Sequence, residues 1–174
     1  MEGLIKYTAT VGKVGNLVPG TPNRLLFSSF NMAPDVAPLY RYFNVQNGYH
    51  FYTTDFKELG EGSPNNWVVE GIQCYLFRTQ FLSSATLHRY FNTGNGAYFY
   101  TTNFNELGCC TPGWNYNGIQ GYAYSHQLFF NVPLYRYFNV QNGDHFYTTD
   151  YNELGAGNND WTYESVQCYV VPFF

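Results

Sequence analysis

The groups in this chain that could move protons come in sets of two or three. Glu58, Glu106 and Glu153 recur at matching places, and so do His50 and His145 with Tyr98 between them. Asp55 and Asp150 alternate with Asn103, and Glu70 and Glu164 with Asn117. A hydrolytic site needs one acid and one base whose pKa values are driven apart inside a single cleft. Carboxylates distributed over three related positions make no such constellation, so the chain reads as a protein that is not an enzyme. Asp or Asn followed three residues later by Glu is a capping-box pattern, which makes these acidic groups caps of short helices. The histidines have no paired His and no H-E-x-x-H spacing, so neither a metal nor another cofactor is expected. His50, Tyr98 and His145 lie two or three residues beyond a predicted turn, where a side chain reaches solvent and a ligand's hydroxyls.

Arg41, Arg89 and Arg136 recur at intervals of 48 and 47 residues, and Trp67, Trp114 and Trp161 at 47 and 47. Each arginine has two readings, a bidentate donor to sugar hydroxyls or an ion pair with a nearby Glu whose stem packs on tyrosine. Each tryptophan is either a stacking face for a pyranose or an anchor at the entry to a core strand. Tyr42, Tyr90 and Tyr137 place a ring, and Asn44, Asn92 and Asn139 an amide, on one face of the same segments. A neutral sugar site requires that mixture.

The elements that position these residues repeat with them. "LYRYFN", then Asn-Gly, then "HFYTTD" is a β-hairpin signal, because Asn and Gly accept the positive φ angles of a type I′ turn. Asn47-Gly48, Asn95-Gly96 and Asn142-Gly143 are the predicted tips, and a two-residue turn sets Asn44 opposite Phe51 and Arg41 opposite Thr54. "DFKELG" and its counterparts form a one-turn helix stopped by Gly60, Gly108 or Gly155. Trp67 then leads into a strand in which Ile72, Cys74 and Leu76 face the core. Three such copies predict an all-β, pseudo-threefold, β-trefoil-like single domain, with an N-terminal segment 1–37 and repeats at 38–85, 86–132 and 133–174. The stretches "RTQFLSSA" and "SHQLFFNV" are long enough for a fourth strand in each unit, and the N-terminal segment is a candidate to complete the third.

Composition narrows the ligand. Aromatic residues make up 21% of the chain and charged residues 11%, against a usual charged share of about 25%. So many rings cannot all be hidden in one small core, and some face water with a polar tip. A net charge of -4 argues against nucleic acid, whose binding needs Lys and Arg to release counterions. No apolar run approaches the ~18 residues of a membrane helix, and no charged n-region with an apolar run opens the chain. A protein without membrane insertion, cytoplasmic or released without a classical signal peptide, is expected. Cys109 and Cys110 are adjacent, which argues against an ordinary bridge, and Cys74 and Cys168 read as small buried hydrophobes.

The motifs R-Y-F-N, H-F-Y-T-T and W-x-x-E, carried by residues 38–174, resemble an aromatic-rich repeat of unknown function. That repeat is found, often in threes, in secreted bacterial and fungal proteins. The resemblance implies a carbohydrate-binding role, and the stand-alone layout is similar to leaderless fungal lectins. The Gln-x-Trp signature of ricin-type lectins is missing, so none of their binding residues carries over. The leading expectation is a lectin with up to three related sites for neutral glycans or glycoconjugates, compatible with a homo-oligomer. The alternative is a protein-binding module such as a protease inhibitor, acting through a non-repeated segment, Met1 to Ala37 or Cys109 to Asn115.

Overall fold

The structure is a computed structural model and describes residues 35–63 and 65–173. Segment 1–37, apart from its last three residues, and its closure of the third repeat lie outside the described residues. The described chain is all-β, with 3-10 turns of three residues at Phe56–Glu58, Phe104–Glu106 and Tyr151–Glu153. Unit 1 holds β1 (Val36–Asn44), β2 (His50–Thr53), the two-residue β3 (Gly62–Ser63) and β4 (Trp67–Phe77). Unit 2 holds β5 (Ser84–Asn92), β6 (Tyr98–Thr101) and β7 (Trp114–Tyr124), and unit 3 holds β8 (Val132–Asn139), β9 (His145–Thr148) and β10 (Trp161–Val170). The middle strand of each unit pairs antiparallel with a short strand on one side and a long one on the other. The long strands join the units into one open sheet through Phe77 with Tyr122 and Tyr124 with Tyr169. An isolated bridge links Tyr75 to Val171.

Each unit contributes two long strands and a four-residue one. Turns, not a fourth strand, occupy 78–83 and 125–131. In both, a backbone N–H reaches back three residues, Ser84 to Phe81 and Asn131 to Leu128, and closes a tight turn that leaves no length to pair.

The hairpins form where expected, but by different means. Asn44 N–H donates to the Tyr49 carbonyl and Gly48 N–H to the Asn44 carbonyl, so four residues span the turn. Asn44 Oδ1 accepts from Gln46 and Asn47, and Asn47 Oδ1 accepts from Tyr49. These side chains mimic backbone turns, and they displace the two-residue type I′ loop. Gly48, Gly96 and Gly143 keep the positive φ, at 74°, 83° and 80°. The register moves by two residues, to Tyr42 opposite Phe51 and Arg41 opposite Tyr52. A shift of two preserves which side chains share a face.

The outer strands carry two irregularities each. Pairing with the middle strand skips Gln73 and Glu70 in β4, and Gln167 and Glu164 in β10. A bulge inserts one residue and re-aims its side chain. Here the inserted residues are the ones that meet the arginines, as described below.

The core contains Leu39, Leu76, Leu87, Leu134, Cys74, Ala123, Cys168 and Val170, closed by Tyr52, Tyr100 and Tyr147. The three tyrosines sit one per unit, with ring centroids 5.4 Å apart in every pair. Tyr100 Oη accepts the Tyr52 N–H and donates to the Tyr52 carbonyl, at 2.7 Å each. Tyr52 Oη does the same for Tyr147, and Tyr147 Oη for Tyr100. The hydroxyls thereby cap the free edges of β2, β6 and β9, which no strand among the described residues covers.

Gly121 stands where the other units have Cys74 and Cys168, and the reason is local. A Cβ there would lie 2.9 Å from Leu76 Cβ and 3.0 Å from the Phe77 carbonyl, on a backbone with φ of 154°. Gly121→Cys, which would make the three units match, is therefore expected to destabilise the fold by about 1–3 kcal/mol. Urea unfolding measures this, and a neutral result would mean that β4 and β7 adjust freely.

Candidate functional site

The seams between units hold most of the residues singled out by sequence. Glu58 of unit 1 pairs with Arg89 of unit 2 at 3.1 Å, Glu106 with Arg136 at 3.3 Å, and Glu153 with Arg41 at 3.1 Å. Each guanidinium also lies over a phenylalanine of its neighbour, Arg41 on Phe146, Arg89 on Phe51 and Arg136 on Phe99, at 4.9 to 5.2 Å. The bulged residues complete the seam. Glu70 and Glu164 meet Arg41 Nε and Arg136 Nε at 2.9 Å, while Gln73 and Gln167 accept from Nη1. Asn117 replaces the glutamate in unit 2, and among the described residues no second carboxylate meets Arg89.

One expectation changes here. The glutamates do not close a capping box: the N–H of Asp55 donates to Thr53 Oγ1, and Glu58 accepts from Thr53 and from Arg89. Asp55, Asn103 and Asp150 do cap, accepting from Lys57, Asn105 and Asn152. The guanidiniums lie over phenylalanine rings, and each arginine pairs with a glutamate of the neighbouring copy, Arg41 and Arg136 also with one of their own.

The predicted binding residues divide sharply by exposure. Tyr42, Tyr90 and Tyr137 are buried beneath the 3-10 corners, and Tyr42 and Tyr137 donate their hydroxyls to the Gly60 and Gly155 carbonyls. The amides of Asn44, Asn92 and Asn139 are engaged in building the turns. His50 and His145 do not reach solvent. His50 Nδ1 is 2.7 Å from Asp144 Oδ2, and its ring packs on Phe146. His145 packs on Phe99, with Nδ1 unpartnered and Nε2 3.6 Å from Glu164. The difference has a simple origin: the residue across the seam from His50 is Asp144, and the corresponding residue for His145 is Ala97. Burial, with help from Arg136, lowers the His145 pKa to about 3, while burial raises that of Asp144. Tyr98 is half-buried against Phe51 and Phe91.

Trp67, Trp114 and Trp161 are half-buried. Each sets its ring 5.6 to 5.9 Å from a phenylalanine of its own unit, Phe51, Phe99 or Phe146. They are neither core anchors nor open platforms.

Besides the exposed Phe129, Phe130 and Phe173, partly exposed rings gather into a cluster on each unit at positions that carry no sequence motif. In unit 3, Tyr135, Tyr151 and Tyr163 form a trio with centroids 5.2, 6.3 and 6.3 Å apart. In unit 2, His88, Phe104 and Tyr116 do so at 5.2, 5.8 and 5.9 Å. Tyr151, Phe104 and Tyr116 are 42%, 40% and 38% exposed. In unit 1 the matching residues are Tyr40, Phe56 and Val69, and only the first two are rings, 4.9 Å apart. The available signal was the shared position in the repeat of residues far apart in sequence.

Cys109 and Cys110 form a vicinal disulfide in an exposed turn, contrary to expectation. Adjacency holds their Cα atoms 3.8 Å apart, and the turn accommodates the small ring this creates. Cys74 and Cys168 are free and buried, and burial raises both thiol pKa values, that of Cys168 to about 12. A hollow of about 240 Å³ between units 1 and 2 is lined by Thr54, Phe77 and Gln120 among others, and it holds neither a ring trio nor a seam carboxylate. Among the described residues there is no cluster suited to a metal ion, and no helix long and apolar enough to cross a membrane.

The fold and seams thus define an all-β, aromatic-rich protein whose units are bound by repeated arginine, glutamate and tyrosine contacts. Residues 38–171 match the model of a domain of unknown function, DUF5648, and the chain belongs to that family. No curated protein and no solved structure matches it.

Proposed function

We propose that this protein binds neutral carbohydrate, as a lectin with related sites on its repeated units. The observation that carries this reading is the outward-facing ring trio of units 2 and 3. Aromatic faces suit the C–H faces of a pyranose, and phenol or imidazole groups at their rims suit its hydroxyls. The seam residues have a supporting role, because their polar groups already serve one another. The trefoil-like arrangement expected from the repeat belongs to this reading: units disposed about one axis present related surfaces in several directions, which raises avidity on a multivalent target.

A formally uncharged site makes a specific prediction. Calorimetric titration with neutral oligosaccharides should give affinities that change less than about twofold between low and physiological salt, since screening acts on charges. A loss of binding with salt would indicate an ionic partner and sink the reading. A second reading, a protein-directed module working through Cys109–Asn115, draws on the vicinal disulfide that closes this loop in unit 2 alone.

A further inference from the structure

The three outer faces are built alike but carry different chemistry. In unit 3 the trio consists of three phenols. The hydroxyls of Tyr135, Tyr151 and Tyr163 have no hydrogen-bond partner among the described residues, and none is a buried group. They lie near one another, as their mutual influence on the raised pKa of Tyr163 shows, after the larger effect of burial. In unit 2 the Tyr116 hydroxyl already meets His88 Nδ1 at 3.1 Å, and Phe104 has no hydroxyl. In unit 1, Phe56 and Val69 leave Tyr40 as the one phenol.

We infer that unit 3 carries the dominant sugar site, that unit 2 carries a weaker one, and that unit 1 carries none. The occupant is a neutral pyranoside with an unbroken C–H face and equatorial hydroxyls, which can lie against the rings while engaging the free phenols. This inference rests on the carbohydrate-binding reading. It follows from counting polar groups: a polyol entering unit 3 finds three hydroxyls without protein partners, whereas in unit 2 it must first break a bond. No charged side chain belongs to the trio, and Glu153, two residues from Tyr151, is committed to Arg41. A charged sugar would therefore find no counterion there.

The sequence offers a reciprocal test. The segments Pro38–Gly60 and Pro133–Gly155 differ at three positions, one of which is Phe56 against Tyr151; Val69 against Tyr163 completes the difference in the trio. Cellotetraose and methyl β-glucoside are titrated calorimetrically into the full chain. Tyr151→Phe/Tyr163→Val should weaken the tighter binding at least tenfold, and Phe56→Tyr/Val69→Tyr should add one site to the stoichiometry. All four substituted residues are at the surface or half-buried, and unfolding midpoints check that the variants fold. Binding by the natural chain that neither double variant alters would overturn the assignment to unit 3 while leaving a lectin. Absence of binding by the natural chain and by the Phe56→Tyr/Val69→Tyr variant alike would overturn the carbohydrate reading itself.

Discussion

Acidification from pH 6.5 to pH 3 should remove about 4 kcal/mol of stability through His145 alone. In the folded chain this imidazole is buried beside Arg136, and its pKa falls to about 3 from an ordinary 6.5. Between those values the unfolded chain binds a proton that the native state refuses, so stability rises with pH there and is lost as pH falls, at about 1.4 kcal/mol per pH unit. Glu164, 3.6 Å from Nε2, is too weak a partner to offset the burial. Asp144 acts in the opposite sense: its raised pKa means that the native state takes up a proton before the unfolded chain does, which adds stability on acidification. The comparison that isolates His145 is His145→Tyr, the residue unit 2 carries as Tyr98. Urea unfolding at several pH values should show a flatter acid limb in the variant. Identical slopes would mean that the native imidazole is protonated after all.

Loss of one hydroxyl from the tyrosine ring should cost nearly as much. Tyr52→Phe removes the partner of both the N–H and the carbonyl of Tyr147, on a strand edge that no other described strand covers. Two buried backbone groups without partners cost about 1–3 kcal/mol each, so a loss of roughly 2–6 kcal/mol is expected. Tyr100→Phe and Tyr147→Phe should give the same figure, because each hydroxyl has the same two duties. Denaturation midpoints with an unchanged m-value test this. A cost below about 1 kcal/mol in any of the three would show that water replaces the phenol.

Local chemistry was legible and relations between units were not. The hairpin tips, the caps at Asp55, Asn103 and Asp150, and the inward-facing Cys74 and Leu76 could be read because each depends on residues close in sequence. The partner of Glu58 could not, since Arg89 lies in the next copy, and a repeat pattern does not say whether equivalent residues meet within a copy or across the boundary. His50 and His145 look equivalent in sequence, yet Asp144 faces one and Ala97 the other. The bulges at Glu70 and Gln73 were hidden for another reason: alternation in sequence presumes a regular pleat, and an inserted residue breaks it. Tyr151 opens a 3-10 corner and Tyr163 lies in the last strand, and only the fold brings them against Tyr135.

The seam contacts have a direction. Each unit offers a glutamate and a phenylalanine on one flank and receives them with an arginine on the other, as unit 1 gives to unit 2, unit 2 to unit 3 and unit 3 to unit 1. In the language of assemblies this is a heterologous, head-to-tail interface, and such an interface produces an endless filament unless its rotation closes. Here the contacts run from unit 3 back to unit 1, through Glu153 and Phe146 to Arg41, and the three core tyrosines join the same units. Within the one chain, 78–83 and 125–131 serve as tethers that hold successive units at high effective concentration. Symmetry of that kind relieves each unit of any need for a private hydrophobic core. It also frees their outer faces to diverge, as Val69, Tyr116 and Tyr163 have done, without disturbing the ring.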